Sequence, residues 1–303
     1  MKLAIIGGSG LLGSTTAFLT AQKGIFDEIK LLGRRKNLLT NHSMDMEHAI
    51  VSSSKTKVTV ADYEDIGDCD VIIVTASAPE REVISRDEYL KDNIKVVEEV
   101  AEKINKYNNH AIIITATNPI DVFNYYLYKK LNRDRMKMLG FASNDSLRLR
   151  WALSKELNLD INKLEAYCIG EHGEGQLPLI NYVKYDGKTL ILNSELLSKI
   201  KNNLISWFKE FQSLNAKRTS GWTSAVNLTE LVEAIALDSK KVIECSVPLE
   251  GELGYADLSL GMMVHIGKDG VSEITVPNLT TEEKNELDTT VNKIKKQQIK
   301  IIL

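Results

Sequence analysis

The sequence predicts an α/β fold in which a doubly wound parallel sheet is followed by a second, α+β domain. A short apolar run at residues 3–6 breaks into glycines and then into a helical pattern, and this alternation of strand and helix repeats up to about residue 142. Beyond that point, longer helical patterns and scattered strand-like runs replace the alternation. We therefore expect a first domain over residues 1–142 and a second over residues 143–303.

The N-terminal unit joins the strand at 3–6 to a helix at 14–21 through a glycine-rich turn. Its glycines fit two registers of the Rossmann dinucleotide-binding pattern, Gly8-x-Gly10-x-x-Gly13 and Gly7-x-x-Gly10-x-x-Gly13. Glycine allows the backbone to turn tightly and to approach a pyrophosphate, which then binds the N–H groups at the positive end of the helix. The alternative is a turn that binds nothing, but the position directly after a strand favours nucleotide binding.

The other elements follow from the period of the apolar residues. In the first half, strand-like runs lie at 28–32, 57–60, 71–75, 111–115 and 136–139, and helical patterns lie at 87–106 and 121–131. Nearly all-apolar strands are typical of a parallel sheet covered on both faces, with right-handed crossovers. In the second half, helices are predicted at 145–157, 194–215, 221–238 and 280–302, and strands at 164–169, 179–184, 247–249, 258–266 and 272–276. The last three strands suggest a small antiparallel sheet with a turn at 268–270.

The composition excludes several classes of protein. The 303 residues are 43% hydrophobic and 26% charged, with a net charge of −3, so no basic field favours nucleic acid or an anionic membrane. Three widely spaced cysteines indicate reduced thiols in a cytoplasmic protein, and no apolar run has the length of a signal peptide core or a membrane span. Five scattered histidines do not predict a metal site.

The end of the second strand bears on the choice of dinucleotide. A Rossmann site usually carries an acidic residue about 20 positions after the glycine turn, where it binds the ribose 2′-hydroxyl. Here that position is Gly33, followed by Arg34 and Arg35. Two guanidinium groups can bind a 2′-phosphate, which favours NADP over NAD. The alternative is a solvated basic loop.

Five polar stretches lie at the expected ends of strands or at the starts of helices. They are Asn118-Pro119 after the fifth strand, 78–87 after the fourth, Asn144-Asp145-Ser146-Leu147-Arg148, Gly170-Glu171-His172-Gly173 and Gly221-Trp222-Thr223-Ser224. Ligands of open α/β sheets bind beyond the carboxyl ends of the strands, so we expect the first two stretches beside the nicotinamide end of a bound dinucleotide.

The order and spacing of these motifs resemble the lactate/malate dehydrogenase family over nearly the whole chain. Asp145 follows Asn118 by 27 residues, and His172 follows Asp145 by 27 residues. The resemblance implies reversible hydride transfer between a nicotinamide cofactor, NAD or NADP, and a small 2-hydroxy or 2-oxo acid. It also implies a homodimer or homotetramer.

The resemblance assigns a role to each motif residue. His172 would take and return the hydroxyl proton, and Asp145 would orient and stabilise its imidazole. Arg148, three residues after Asp145, would bind the substrate carboxylate with a planar fork, and Arg86 would polarise the ketone. Asn118 would form a hydrogen bond with the substrate or with the histidine, and Thr223 would line the pocket. The residues that we expect to contact the cofactor are Gly7, Gly8, Gly10, Leu11, Leu12, Gly13, Gly33, Arg34, Arg35, Thr75, Ala76, Asn93, Thr117 and Asn118.

Simpler roles exist for the same residues. His172 alone could be a packed or surface histidine, Asp145 and Thr223 could be helix caps, and Arg148 could be a solvated charge. Arg86 could be one more charge in a polar loop, and Asn118 could be a turn residue. What favours the functional interpretation is their occurrence together.

Four features depart from the family's pattern. The specificity arginine of malate enzymes usually lies six residues before the loop arginine, where this chain has Glu80, with Arg81 one position later. Val83 and Ile84 replace the glycine usual before that arginine, and Asn144 replaces an apolar residue before Asp145. The acid on the adenosine side is absent. Malate is slightly favoured as substrate through Arg81, with lactate or a bulkier 2-oxo acid open.

Two other functions are compatible with parts of the sequence. The pair Tyr125-x-x-x-Lys129 matches a short-chain dehydrogenase, but it lies in a helix rich in tyrosine and lysine, and no serine lies suitably upstream. A nucleotide sensor or structural protein could keep the fold without turnover, but it would not need His172, Asp145, Arg148 and Arg86 together.

Overall fold

The computed structural model describes residues 1–78, 86–214 and 220–302. The strands are β1 Lys2–Ile6, β2 Glu28–Leu32, β3 Lys57–Val60, β4 Val71–Val74, β5 Ile112–Thr115, β6 Met138–Phe141, β7 Leu164–Glu165, β8 Cys168–Gly170, β9 Gln176–Pro178, β10 Lys184–Tyr185, β11 Lys188–Thr189, β12 Lys241–Glu250, β13 Ala256–Gly267 and β14 Gly270–Thr275. The helices are α1 Leu11–Lys23, α2 Lys36–Ile50, α3 Arg86–Tyr107, α4 Ile120–Leu131, α5 Asn144–Leu157, α6 Ser194–Ser213, α7 Gly221–Ala236 and α8 Thr281–Ile302. Short 3₁₀ helices lie at Tyr63–Asp68, Arg135–Lys137, Ile161–Lys163, Ile180–Tyr182 and Glu252–Gly254.

The first six strands form a parallel sheet in the order β3-β2-β1-β4-β5-β6. This is the strand order of a doubly wound dinucleotide-binding fold, with the reversal of direction between β1 and β4. The central strands β4 and β5 read VIIV and IIIT and are buried throughout, because both faces are covered and branched side chains pack well on a pleated surface. The predicted fold class is confirmed.

The second half of the chain extends the same sheet. β12 pairs antiparallel with β6, and β13, β8 and β9 follow outward, with β14 also paired to β13. The expectation of a separate small sheet made from 247–249, 258–266 and 272–276 is therefore wrong, because the long strands β12 and β13 continue the main sheet. The only separate sheet among the described residues is the three-stranded β11-β10-β7.

The core follows this arrangement. One large apolar cluster runs along both faces of the main sheet, and a smaller one lies under α5 and α6 around Leu149, Leu153 and Ile200. The predicted strand at 179–184 is wrong, because most of it is the 3₁₀ helix Ile180–Tyr182. α2 was not predicted, because its sequence is polar and only Leu39, Met46 and Ile50 are buried. In the described ranges, none of the helices has both the length and the apolar composition that crossing a bilayer requires.

Candidate active site

The residues predicted to bind a dinucleotide lie at one edge of the sheet. Gly7 to Gly13 follow β1, Gly33 to Arg35 follow β2, Thr75 and Ala76 follow β4, and Thr117 and Asn118 follow β5. These four strands are neighbours, and parallel strands end at the same edge. The segments therefore meet where the strand order reverses, which is where open α/β sheets bind their ligands.

The glycine turn is built for close backbone approach. Gly7 has φ +97°, and the N–H groups of Gly7 and Gly8 donate to the carbonyl of Leu32 at 2.9 and 3.0 Å. A Cβ at Gly13 would lie 2.6 Å from the Gly7 oxygen, so only glycine fits there. Gly10 precedes α1 and has no side chain to cap it, so the first N–H groups, at Leu11 and Leu12, are available for an anion. A pyrophosphate fits this turn.

Side chains tie the neighbouring loops together. Thr75 Oγ1 donates to the carbonyl of Ile6 at 3.0 Å, and Thr117 Oγ1 donates to the carbonyl of Ala76 at 2.7 Å. The fully buried Asn93 accepts the N–H of Ala78 at 2.7 Å and donates to the carbonyl of Asn118 at 3.1 Å. Asn93 thus holds the loop after β4 against the loop after β5. Asn118 itself is exposed.

The predicted basic segment lies next to the glycine turn. Arg34 and Arg35 are exposed, and Arg35 Nη2 donates to the carbonyl of Ser9 at 3.0 Å. A Cβ at Gly33 would lie 3.5 Å from Ser9 Oγ. Sequence reasoning missed Ser9, and its position inside the glycine turn was the only available signal. Lys36 is the first residue of α2, so the basic run ends at a helix.

The central pair of the site is Asp145 and His172. Asp145 Oδ2 lies 2.9 Å from Nδ1 of His172, whose side chain is 13% exposed, and Asp145 is fully buried. Nη1 of Arg148 donates to the other oxygen, Oδ1, at 3.1 Å. α5 is preceded by Ser143, so Asp145 does not cap it. The structure brings these three predicted residues together.

The charges around His172 favour its protonated form. Burial alone lowers the pKa of His172, but the charge and hydrogen bond of Asp145 and the charge of Asp121 raise it, and the net direction is upward. The charge of Arg148 acts in the opposite direction. An imidazole stabilised as imidazolium, with Nδ1 fixed by a carboxylate, can give and take a proton through Nε2.

Asp121 is a further carboxylate that sequence reasoning placed only at the start of a helix. Its Oδ2 accepts the backbone N–H of His172 at 2.9 Å, and its Oδ1 accepts Ser246 Oγ at 2.6 Å. Asp121 lies in the first turn of α4, three residues after Asn118. This contact brings His172 beside the carboxyl end of β5. The signal in the sequence was an acidic residue directly after the Asn-Pro motif.

The unusual Asn144 has partners in α7. Asn144 Nδ2 donates to Ser224 Oγ at 2.8 Å, and Asn227 Nδ2 donates to Asn144 Oδ1 at 3.0 Å. Asn227 also donates to the carbonyl of Thr223 at 3.0 Å. The network fixes the start of α7 against the start of α5, so the half-buried Thr223 lies close to the helix that carries Asp145. Ser220 precedes α7, so Thr223 is not its cap.

A second buried carboxyl lies near the pair. Glu244 on β12 is 2% exposed and accepts a hydrogen bond from Ser146 Oγ, which in turn accepts the N–H of Cys168 at 2.8 Å. Burial, followed by the charge of Asp145, raises the pKa of Glu244 well above its ordinary value. Burial and the neighbouring carboxylate therefore favour the protonated form of Glu244. Sequence reasoning missed Glu244, because nothing in its local pattern distinguishes it from an ordinary strand residue.

Some predicted residues remain without a described position. Glu80 and Arg81 lie outside the described residues, and so do Val83 and Ile84. Arg86 is the first residue of α3 rather than a loop residue, but its side chain lies outside the described part.

The alternative tyrosine–lysine pair is not part of this site. The buried Tyr125 has its hydroxyl 3.5 Å from Asp257 on β13. Its burial and this contact indicate that Tyr125 is a packing residue.

Two family models match the chain along almost its whole length. The model described as lactate/malate dehydrogenase, NAD binding domain matches residues 1–140, and the one described as lactate/malate dehydrogenase, alpha/beta C-terminal domain matches residues 143–302.

Named relatives and solved structures agree with these matches. A malate dehydrogenase of Natronomonas pharaonis is 30% identical over 99% of both chains, and one of Bacillus pumilus is 32% identical over 97% of this chain and 96% of that protein. A lactate dehydrogenase of Cryptosporidium parvum, solved with lactic acid and β-nicotinamide adenine dinucleotide, superimposes with a TM-score of 0.92. It is 28% identical and covers 99% of this chain and 97% of its own.

Proposed function

This chain belongs to the lactate/malate dehydrogenase family, and we propose that it transfers a hydride between a nicotinamide cofactor and a small 2-hydroxy acid. The observation that carries the proposal is the contact between Asp145 and His172 at 2.9 Å, beside the edge of the sheet where the dinucleotide loops meet. A protein that only binds nucleotides has no need of this buried acid–base pair.

The proposed oxidation removes a hydride from C2 of the hydroxy acid and a proton from its hydroxyl group. A nicotinamide cofactor held by the glycine turn at Gly7–Gly13 would supply the acceptor for the hydride from C2 of the hydroxy acid. His172 Nε2 takes the hydroxyl proton as the C–O bond becomes a carbonyl, and Asp145 stabilises the imidazolium that forms. In the reverse direction the same nitrogen returns the proton. The raised pKa of His172 suits a group that must hold a proton in one half of the cycle.

The acid group of the substrate requires a cation close to this pair. Arg148, whose side chain is 21% exposed, lies against Asp145 and is proposed to bind the substrate carboxylate. Arg86 is proposed to polarise the carbonyl oxygen, Asn118 to form a hydrogen bond with the substrate or with His172, and Thr223 to line the pocket. Malate is the favoured substrate, because its second carboxylate could pair with Arg81 and because the relatives above are named malate dehydrogenases.

For the cofactor we propose NADP over NAD. Gly33 stands where an acidic residue would bind the ribose hydroxyl, and the guanidinium groups of Arg34 and Arg35 are exposed beside the glycine turn. The matched family model is that of an NAD binding domain, so the coarser statement, a nicotinamide cofactor, does not depend on this preference.

We also propose that the protein is a cytoplasmic homodimer or homotetramer. α7 exposes Trp222 and Val226, one turn apart, and a shared apolar face of this kind suits contact with a second copy. The three buried cysteines are free thiols, as expected in a reducing compartment.

A panel of 2-oxo acids assayed with NADH and NADPH tests the reaction. We expect turnover of oxaloacetate or a related acid by the wild type, and its loss in His172→Gln with cofactor binding retained. His48→Gln, an exposed histidine of α2, is the matched control and should behave as the wild type. Absence of turnover across the panel with both cofactors would contradict the proposal.

A further inference from the structure

Asp121 is a buried carboxylate whose two oxygens have two different partners. It is 2% exposed, its Oδ2 accepts the backbone N–H of His172 at 2.9 Å, and its Oδ1 accepts the hydroxyl of Ser246 at 2.6 Å. The three residues come from three elements: α4, the turn after β8, and β12. The carboxylate therefore joins the turn that carries His172 to the strand edge where Asn118 lies.

We propose that Asp121 is a positioning residue for His172, which it holds by the backbone N–H and whose protonated ring its negative charge favours. The proposal rests on the function proposed above, in which His172 carries the proton. Asp121 itself exchanges no proton with the substrate in this proposal. Its two effects, anchoring and charge, are separable by substitution.

The anchoring effect follows from the turn around His172. Gly170 has φ +96° and Gly173 has φ +132°, so two flexible residues flank the segment. A Cβ at Gly170 would lie 2.5 Å from the Gly175 oxygen, so that end is tightly packed, whereas the space around Gly173 is open within 4 Å. The hydrogen bond to Asp121 fixes the backbone at His172, which lies between the tightly packed Gly170 and the open Gly173.

Ser246 fixes the carboxylate from the opposite side. It lies on β12 opposite Gly140 of β6, and a Cβ at 140 would lie 2.7 Å from Ser246 Cβ. This close strand pairing brings the serine hydroxyl to Asp121 Oδ1. The carboxylate is thus oriented by a donor on rigid sheet, and it orients the histidine backbone in turn.

The charge effect depends on all the ionisable groups around Asp121 and His172. Asp145, Asp121 and Arg148 act on the ring of His172, the two carboxylates raising its pKa and the guanidinium lowering it. Burial raises the pKa of Asp121 to about 6, against the hydrogen bonds of Ser246 and His172 and the charge of His172, while Glu171 raises it further. Glu171 is paired with Lys293 at 2.9 Å. The buried Glu244 is also within electrostatic reach of Asp121. Asp121 is therefore ionised above pH 6 and progressively neutral below it.

The test uses the full-length protein with histidine labelled for NMR, and the His172 signal is assigned by its loss in His172→Gln. Asp121→Asn keeps a carbonyl oxygen for the N–H of His172 but removes the charge. We expect the pKa of His172 to fall by about one unit. The pH limb of kcat that reports His172 should move by the same amount, with cofactor affinity unchanged.

Two further variants separate anchoring from charge. Asp121→Ala should also lower kcat by about tenfold or more, because the histidine loses its anchor. Ser246→Ala should raise the pKa of Asp121 and lower that of His172 by a smaller amount than Asp121→Asn. Asp134→Asn, an exposed carboxylate that caps the 3₁₀ helix at Arg135–Lys137, is the control and should leave the His172 titration unchanged.

An unchanged His172 titration in Asp121→Asn would overturn the charge role, and an unchanged kcat in Asp121→Ala would overturn the anchoring role. Should the Asp121 variants fail to fold, Ser246→Ala decides: a His172 pKa equal to that of the wild type overturns the proposal. Since the NMR titration needs no turnover, it distinguishes failure of this proposal from failure of the proposed reaction.

Discussion

Asp145 Oδ2 lies 2.9 Å from Nδ1 of His172, although the two residues are 27 positions apart and belong to different elements. The same carboxylate receives Arg148 on its other oxygen. One buried charge therefore organises both the group proposed to move the proton and the group proposed to hold the substrate.

Replacing Asp145 with asparagine removes the charge and keeps the shape. The pKa of His172 should fall because its main favourable charge is lost, and kcat should decrease by about a thousandfold. Steady-state kinetics measure this decrease, and fluorescence titration should show unchanged cofactor affinity. Asp160→Asn, at the exposed start of a 3₁₀ helix, serves as the control. Retention of more than a tenth of the wild-type kcat would contradict the proposed pairing.

The buried Glu244 should make stability depend on pH. Its folded pKa is raised, so the unfolded chain releases this proton at lower pH than the native protein does, and stability falls as pH rises above about 4.5. Each unit of difference costs about 1.4 kcal/mol once the pH exceeds both values. Glu244→Gln removes this cost, and urea unfolding should show a more stable variant at pH 8 and little change at pH 4.5.

Glu47→Gln, an exposed carboxyl on α2, is the control for that experiment. It should leave the pH dependence of unfolding as in the wild type. A Glu244→Gln variant that unfolds with the wild-type pH profile would show that Glu244 is not held neutral.

The network around Asn144 should show strong non-additivity. Asn144→Leu leaves the buried amide of Asn227 and the hydroxyl of Ser224 without that partner, which should cost about 1–3 kcal/mol of unfolding free energy. Asn144→Leu with Asn227→Leu replaces both amides by apolar groups and should recover part of that loss. Urea unfolding of the two single variants and the double variant gives the coupling. Simple additivity would mean that the two amides do not stabilise each other.

Cofactor preference tests the basic segment after β2. Arg34→Ala together with Arg35→Ala should weaken NADPH binding by about tenfold or more while changing NADH binding little, because only NADPH carries the 2′-phosphate. Binding titrations with both cofactors measure this, and Lys55→Ala is a control with an exposed cation elsewhere. A tenfold or stronger preference of the wild type for NADH would rule out the proposed role of the arginines.

The parts of the fold that sequence analysis predicted correctly are those with strong local signals. β2 and β3 lie at the predicted residues, since short buried runs between turns indicate strands directly. The glycine turn was recognisable because only glycine fits at Gly7 and Gly13. The contact of Asp145 with His172 was predictable only through the joint spacing of several motifs, since each residue alone has a simpler role.

The parts of the fold and of the site that were not predicted depend on contacts between residues far apart in the sequence. Asn144 looks like a departure from the family pattern until Ser224 and Asn227 are seen beside it, 80 or more residues away. Asp121 looks like an ordinary acid in the first turn of a helix, and its partners are 51 and 125 residues distant. The sequence of the antiparallel strands after residue 240 does not indicate which sheet they join.

The backbone pairing of β6 with β12 joins the two halves of the sequence in one sheet. A fragment ending at residue 142 would leave β6 as a bare edge strand of buried apolar residues, ready to pair with other chains. We therefore expect such a fragment to be prone to aggregation.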